Sequence, residues 1–463
     1  MRVDDPTIGY LIVFVLPVVF YFFINIHNIR LLPLFFIFVI PFLAGALELL
    51  GILTVSHYNI AVEMIILLLF IQCYATKKDR SFHFLGYSYV FGFIGISVLS
   101  YFVNDTSLLQ LLLFFRKYLL PILFFWLLMN VDLTERDYRY FNKLIIGLFL
   151  TQIPVAFGKY FIVGQAERYM GTMTIGGGSL TTSFALFGMI TYLSFFLHQK
   201  KYTYLLAVAG FFLFSIIGNK RAILFYAPII MVAVFYFANI NLNLTKTFKK
   251  ALPAVPIMIL FFYLSVTLIP SLNPEHQIGG SFDRNHVSNY VENYLFPGRH
   301  IRGSDYYGRG EAPFAVWDLM VNESDAVNIL LGFGAGDLLM SRFIETDPSL
   351  RRREDIIAYK FNIGYGGRTG LILLILQVGV LGAALLFLFY AYIFKIIFKV
   401  YKKSEIEHPL YFMVLSLFIL FFLDTLTYSI TMLEALPVVM PFIWFVSQGI
   451  KNIEIIQLNR RIW

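Results

Sequence analysis

The sequence predicts an all-α fold: a polytopic membrane helix bundle of about 13 spans, with one long, partly helical extracytoplasmic loop. Three observations lead there. Hydrophobic residues make up 59% of the 463-residue chain and charged residues only 14%. With a mean hydropathy of +0.75, that leaves too little polar surface for a soluble domain. The apolar residues fall in runs of about 20, the length that crosses a bilayer as a helix. A single hydrophilic stretch, 271–367, is too long to be an ordinary connector.

In chain order the runs place spans near 8–26, 31–53, 58–76, 82–103, 107–129, 143–163, 179–197, 202–218, 221–238 and 251–270. After the loop come 368–395, 409–429 and 432–450. The organisation is therefore a bundle over 1–270, the loop 271–367 and a second part of the bundle over 368–463. The opening "MRVDDPTIGYL" has no basic leader and no small-residue cleavage site, so its apolar run reads as a retained span. Cys73 is the only cysteine and lies in an apolar run, which argues against a disulfide framework or a thiol-rich metal site. The 51 Phe and 29 Tyr read as lipid-facing packing and interface anchors.

Charge sets the orientation. Alternate short connections hold Arg30, Lys77, Lys78, Arg80, Arg136, Arg139, Lys143, Lys200, Lys201, Lys246, Lys249 and Lys250. Lys395, Lys399, Lys402, Lys403, Lys451, Arg460 and Arg461 continue that set. The opposite set, outside the long loop, holds only Arg2, Arg168, Lys220 and Arg221. Cytoplasmic loops carry the excess of Lys and Arg, so the N-terminus is expected outside, the C-terminus in the cytoplasm and the long loop outside. The net charge of +8 follows from this bias, and no nucleic-acid partner is expected. Inside the loop, "APFAVWDLM" has helical apolar spacing and "PSLRRREDIIAYK" opens with Pro and pairs Arg351 with Asp355 at i,i+4, so the loop is expected to fold.

Lys220 and Arg221 stand against the orientation rule, directly before a span. Two more spans that enter from outside begin similarly: "ERYMGTMTIGGGSL" brings Arg168 and three glycines, and "FNIGYGGRTG" brings Arg368. Unpaired N–H groups and the macrodipole at a helix N-terminus favour an anion. Glycine lets the backbone approach it, and Arg adds a fork for phosphate or carboxylate oxygens. The bland alternative is an interfacial cation touching lipid phosphates. Arg116 and Lys117 lie nearly mid-span, where cations are costly and commonly functional. Glu48, Glu63, Asp424 and Glu434 are their candidate counter-ions, and a structural ion pair is the alternative reading. In the loop, "YYGRGEAPFAVWDLM" gathers Arg309, Glu311, Trp317 and Asp318, a set able to hold a sugar and activate a hydroxyl. His276, His286 and His300 lack metal-ligand spacing, and no metal or other cofactor is expected.

The order of these pieces, "ERYMGT", "GNKRA" opening a helix, "GRGEAPFAVW" and "LLGFGAG" in a long loop, then "RTGLILLILQVGVLG", resembles the O-antigen polymerase/ligase superfamily, most of all its Wzy-type polysaccharide polymerases. The resemblance covers about residues 165–382. It implies a multi-spanning inner-membrane glycosyltransferase that joins oligosaccharide units carried on undecaprenyl diphosphate, alongside a flippase and a chain-length regulator. Its extracytoplasmic arginines engage the diphosphate, which here implies Arg221 and Arg309 as catalytic residues. Glu311 or Asp305 is the candidate base, and Lys220, Arg168, Arg368, Arg116 and Trp317 are candidate substrate-binding residues. Counting back from Gly379 to the place where the ligase branch keeps a His lands on Arg368, which argues for polymerase over ligase. A transporter is the reading from another class.

Overall fold

The computed structural model describes residues 31–51, 53–77, 82–163, 171–173, 180–240, 254–295, 307, 309–338, 361, 363, 368–403, 408–428 and 432–461. Its helices are α1 (Leu31–Leu49), α2 (Val55–Thr76), α3 (Tyr87–Val103), α4 (Leu108–Asn130), α5 (Glu135–Val163), α6 (Leu180–Gln199), α7 (Thr203–Ile217), α8 (Ile223–Ala238) and α9 (Ala254–Leu268). In the long loop lie α10 (Arg284–Leu295), α11 (Ala312–Asp318) and α12 (Ala326–Leu331), followed by α13 (Gly370–Lys403), α14 (Pro409–Thr427) and α15 (Leu436–Arg461). Among the described residues, α1, α2, α4, α5, α6, α13 and α14 contain the seven stretches long and apolar enough to cross a membrane, and α3, α7, α8, α9 and α15 contain shorter apolar stretches. The chain is an all-α membrane protein. The span expected at 8–26 lies outside the described residues.

The helix starts follow from local chemistry. Ser107 and Gln110 form a capping box at α4, with the Gln110 N–H donating to Ser107 Oγ at 3.2 Å and the Ser107 N–H to Gln110 Oε1 at 3.0 Å. Asp325 caps α12 by accepting from the Asn328 N–H at 2.8 Å. His408 Nδ1 does the same for α14 from Leu410 at 3.2 Å, with Pro409 next in place.

Helices α6 and α14 form the centre, with 78% and 72% of their apolar windows buried against 22% for α2 and α5. Their packing is strongly aromatic. Phe38 meets Trp444 edge-on at 5.4 Å between centroids, and Phe149 stacks on Phe184 at 4.4 Å. Phe38, Phe42, Phe124, Phe141 and Phe184 are fully buried, so much of the phenylalanine read as lipid-facing instead fills the space between helices. A hydrophobic surface and a hydrophobic interior look alike in composition when the solvent is lipid.

At one end of the bundle Lys77 Nζ meets Asp132 at 3.3 Å and Lys451 Nζ donates to the Val131 carbonyl at 2.5 Å. Gly332 and Phe333 of the long loop sit at the other. There the Asn104 amide donates to the Gly332 carbonyl at 3.1 Å, and Phe333 N–H to the Leu376 carbonyl at 2.8 Å.

The span expected over 368–395 is broken. Val378 and Gly379 leave helical geometry inside α13, with Gly379 at φ 65°. A Cβ on Gly379 would come within 2.2 Å of the Leu330 carbonyl oxygen, and one on Gly332 within 2.5 Å of the Gln377 carbonyl carbon. These two glycines let the loop backbone lie on the broken helix. The two turns before the break contribute Ile372, Leu373 and Leu376 to a separate small core with Ala312, Val316, Met320, Leu338 and Ile363. The loop's apolar core therefore runs past residue 367 into α13.

Candidate functional site

At the loop end several helix termini meet on one side chain, Tyr428. Helix α14 stops as this residue turns extended, φ −117° and ψ 145°. Its hydroxyl shares a hydrogen bond with Thr182 Oγ1 in the first turn of α6 at 3.2 Å. Its carbonyl accepts from the N–H of Gly370, the first residue of α13, at 2.7 Å. Its ring meets that of Tyr226, in the first turn of α8, at 6.2 Å, and the Tyr226 hydroxyl bonds to Thr427 Oγ1. Over the Tyr428 ring, 5.4 Å from its centroid, lies the Arg309 guanidinium. The starts of α6, α8 and α13 and an arginine from the loop are thus drawn to one place.

Arg221 stands at the head of α8. It donates to the Tyr290 hydroxyl of α10 and lies 5.2 Å from the centroid of that ring. Its neighbour Lys220 is buried; Asn219 takes the left-handed conformation and the Lys220 N–H turns back to the Ser215 carbonyl at 3.0 Å. Beneath Tyr428, Asp424 is buried and accepts from Ser183 Oγ of α6 and from the Met432 N–H at 2.6 Å. Asp424 thereby ties Met432 to the first turn of α6.

The other expected residues fall as follows. Glu311 opens α11, two residues from Arg309. Trp317 is 68% exposed, on the side of α11 away from buried Ala312 and Val316. Arg368 is buried, with Nε donating to the Ile363 carbonyl at 3.3 Å, so that contact belongs to the loop core. Arg168, the glycines 176–178, Arg351, Asp355, Asp305 and His300 lie outside the described residues. His276 and His286 approach to 5.5 Å between rings, and no group of three His, Cys, Asp or Glu fit to hold a metal ion forms among the described residues.

Arg116 and Lys117 are paired deeper in the bundle. Arg116 grips Glu63 of α2 through Nε at 2.5 Å and Nη2 at 3.0 Å. Lys117 meets Glu434 at 2.6 Å. Of the four carboxylates expected to serve, Glu63 and Glu434 do. Glu48 instead accepts from the Val55 N–H at 3.3 Å, and Asp424 holds Ser183 and Met432.

Tyr226, Tyr290 and Tyr428 were not legible as site residues, since nothing in sequence separates them from the other tyrosines. The signal available was indirect: Tyr428 follows the lone carboxylate of its span at Asp424 and precedes the next helix. No family model, curated protein or solved structure matches the chain.

Proposed function

We propose that this protein is a polysaccharide polymerase, a glycosyltransferase that joins undecaprenyl-diphosphate-linked oligosaccharide units at the external face of the bacterial inner membrane. The observation that carries the reading is the convergence on Tyr428: three helix starts and Arg309, with Arg221 at the head of one of those helices. Helix N-termini and guanidinium forks are the groups that bind a diphosphate. A tyrosine contact orients a guanidinium without cancelling its charge.

In this reading Arg221 and Arg309 hold the donor's diphosphate, with Lys220 beside them. An acceptor hydroxyl attacks the anomeric carbon, and the bond from that carbon to the phosphate oxygen breaks. The diphosphate leaves with the electron pair, and the arginines stabilise the growing negative charge. Glu311 takes the hydroxyl proton. The donor arrives already activated, so the step draws on no further energy source.

The test is incubation of the purified protein with a lipid-diphosphate oligosaccharide. A ladder of products supports the polymerase. A single transfer to a lipid A core makes the protein a ligase, and no product in either assay leaves the transporter reading. In intact cells, a cysteine replacing exposed Asp325 should react with an impermeant thiol reagent, and one replacing exposed Lys402 should not. The reverse pattern puts the cluster on the wrong face for this donor.

A further inference from the structure

Helix α11 and the wide turn that continues it, Leu319–Glu323, present three faces. Ala312, Val316 and Met320 are buried in the small loop core. Asp318 and Asn322 form an exposed polar edge, along which the Asn322 amide donates to the Asp318 carboxylate. Phe314, Trp317 and Val321 recur at i, i+3 and i+7, so they share a third face, and they are 75%, 68% and 44% exposed. On α12, Val327 and Leu330 are exposed at the same spacing. An exposed apolar stripe of this kind marks an interaction surface.

Depth decides what covers it. Lys395 is exposed and opens the lysine-rich end of α13, a helix long and apolar enough to cross a membrane. At about 1.5 Å per residue, Leu376 lies about 28 Å along α13 from Lys395, and Gly379 about 24 Å. Both fall within the roughly 30 Å of a bilayer's hydrocarbon core. Leu376 shares the small core with Val316 and Met320, and the loop backbone at Leu330 and Gly332 lies on Gly379. Both loop helices are therefore tied to a membrane-spanning segment just inside its far edge. A lipid-facing surface continues beside them: Asn104, which donates to the Gly332 carbonyl, directly follows exposed Phe102 and Val103 of α3.

We propose that α11 and α12 lie in the membrane surface at the loop end, with Phe314, Trp317, Val321, Val327 and Leu330 in lipid and the Asp318–Asn322 edge in water. This seating requires only that α13 crosses the membrane, and it holds whether or not the protein is a polymerase. Interfacial helices bury an apolar face about 5–10 Å into the boundary between headgroups and acyl chains. Tryptophan favours that depth, because its ring is apolar and its N–H is polar. Lipid contact thus takes the place of the sugar expected at Trp317. Seated there, α11 also holds Arg309, three residues before its start, near the level of the lipid phosphates, where a lipid-linked diphosphate carries its charge.

The test uses the purified full chain in phosphatidylcholine nanodiscs, with Cys73→Ala as background and a nitroxide label on one new cysteine at a time. Trp317→Cys, Val321→Cys and Leu330→Cys probe the apolar faces, and Asp318→Cys and Asn322→Cys probe the polar edge. Power saturation compares collisions with oxygen, which concentrates in lipid, and with a nickel chelate confined to water. Oxygen should dominate several-fold at Trp317, Val321 and Leu330, and the chelate at Asp318 and Asn322. Dominance of the chelate at all five places the helices in water and overturns the proposal. Exclusion of both reagents from Trp317 and Val321 means that protein covers the face, which overturns it equally. A second measurement needs no cysteine. The fluorescence difference between wild type and Trp317→Phe should lose most of its intensity in nanodiscs of phosphatidylcholine brominated near the top of its acyl chains. A difference that bromine leaves unchanged rules out lipid contact at Trp317.

Discussion

The molecule holds two pairs of membrane-embedded or membrane-edge cations, and it treats them differently. Arg116 and Lys117, about 12 Å into α4, each meet a carboxylate, Glu63 and Glu434. Arg221 and Arg309, at the loop end, each lie on a tyrosine, Tyr290 and Tyr428. The deeper pair, with its carboxylates, lines a polar cavity between α2, α4 and the turn Met432–Glu434, and we propose the pair at the loop end as the place for an anion. Adjacent basic residues in sequence therefore say little about what they bind until their partners are known.

The largest effect should come from the tyrosine-held pair. Arg221→Ala should lower polymer formation by about 100- to 1,000-fold, near 3–4 kcal/mol, with insertion and expression intact. Arg221→Lys should restore little, because a point charge cannot bind two phosphate oxygens as the planar fork does. Chain growth at the wild-type rate in Arg221→Ala would remove the contrast by making Arg221 a mere interface anchor.

Glu434→Gln should act on stability instead. It removes the carboxylate 2.6 Å from the Lys117 ammonium, whose side chain is 7% exposed, and should cost about 3 kcal/mol. K117M/E434Q should recover much of that loss, as read by thermal melting in detergent. If the single variant melts like wild type, the deeper pair is not a matched pair in the sense argued here.

Arg368 sharpens the comparison as a third case, a cation whose Nε donates to a backbone carbonyl. Arg368→Ala should lose about 1.5–3 kcal/mol of stability through that charged hydrogen bond, with activity falling only as far as folding does. Loss of polymer at an unchanged melting temperature would move Arg368 into the anion cluster with Arg221.

The smallest effect lies away from both pairs, at His408. Burial, and then His198 at 6.5 Å, hold its pKa below the ordinary histidine value. A depressed histidine resists protonation in the folded state while the unfolded chain accepts the proton. Its contribution is therefore present above the unfolded pKa of about 6.5 and is lost as pH falls below it. The N-cap on Leu410, accepted by Nδ1, goes with it. Melting temperature should fall slightly between neutral pH and pH 5 in wild type and less in His408→Asn, which keeps a capping side chain. Parallel pH curves for the two proteins would exclude His408 as the cause.

Much of the fold was legible. Apolar length placed a helix under every span expected from residue 31 onward, because a chain in lipid must satisfy its backbone within each helix. The break in α13 was not, because "QVGVLG" reads as uninterrupted apolar sequence; only the approach of Leu330 and Gly332 requires Gly379 to leave the helix. In the candidate site, Arg221 stood out as a cation against the orientation rule and Arg309 was named only through the family resemblance, whereas Tyr290 and Tyr428 were ordinary tyrosines until folding set them against those cations.

Sequence by itself determined the class, the helices under the apolar runs and the positions where charge is costly, since each of these follows from local composition against a fixed solvent. The tertiary structure decided which carboxylate meets which cation, which helix starts share Tyr428, and where the loop's core ends. Those are contacts between residues up to hundreds of positions apart, such as Ser183 with Asp424 and Lys117 with Glu434, and no local pattern carries them. They are set by how the helices pack, and packing depends on all the side chains between them at once.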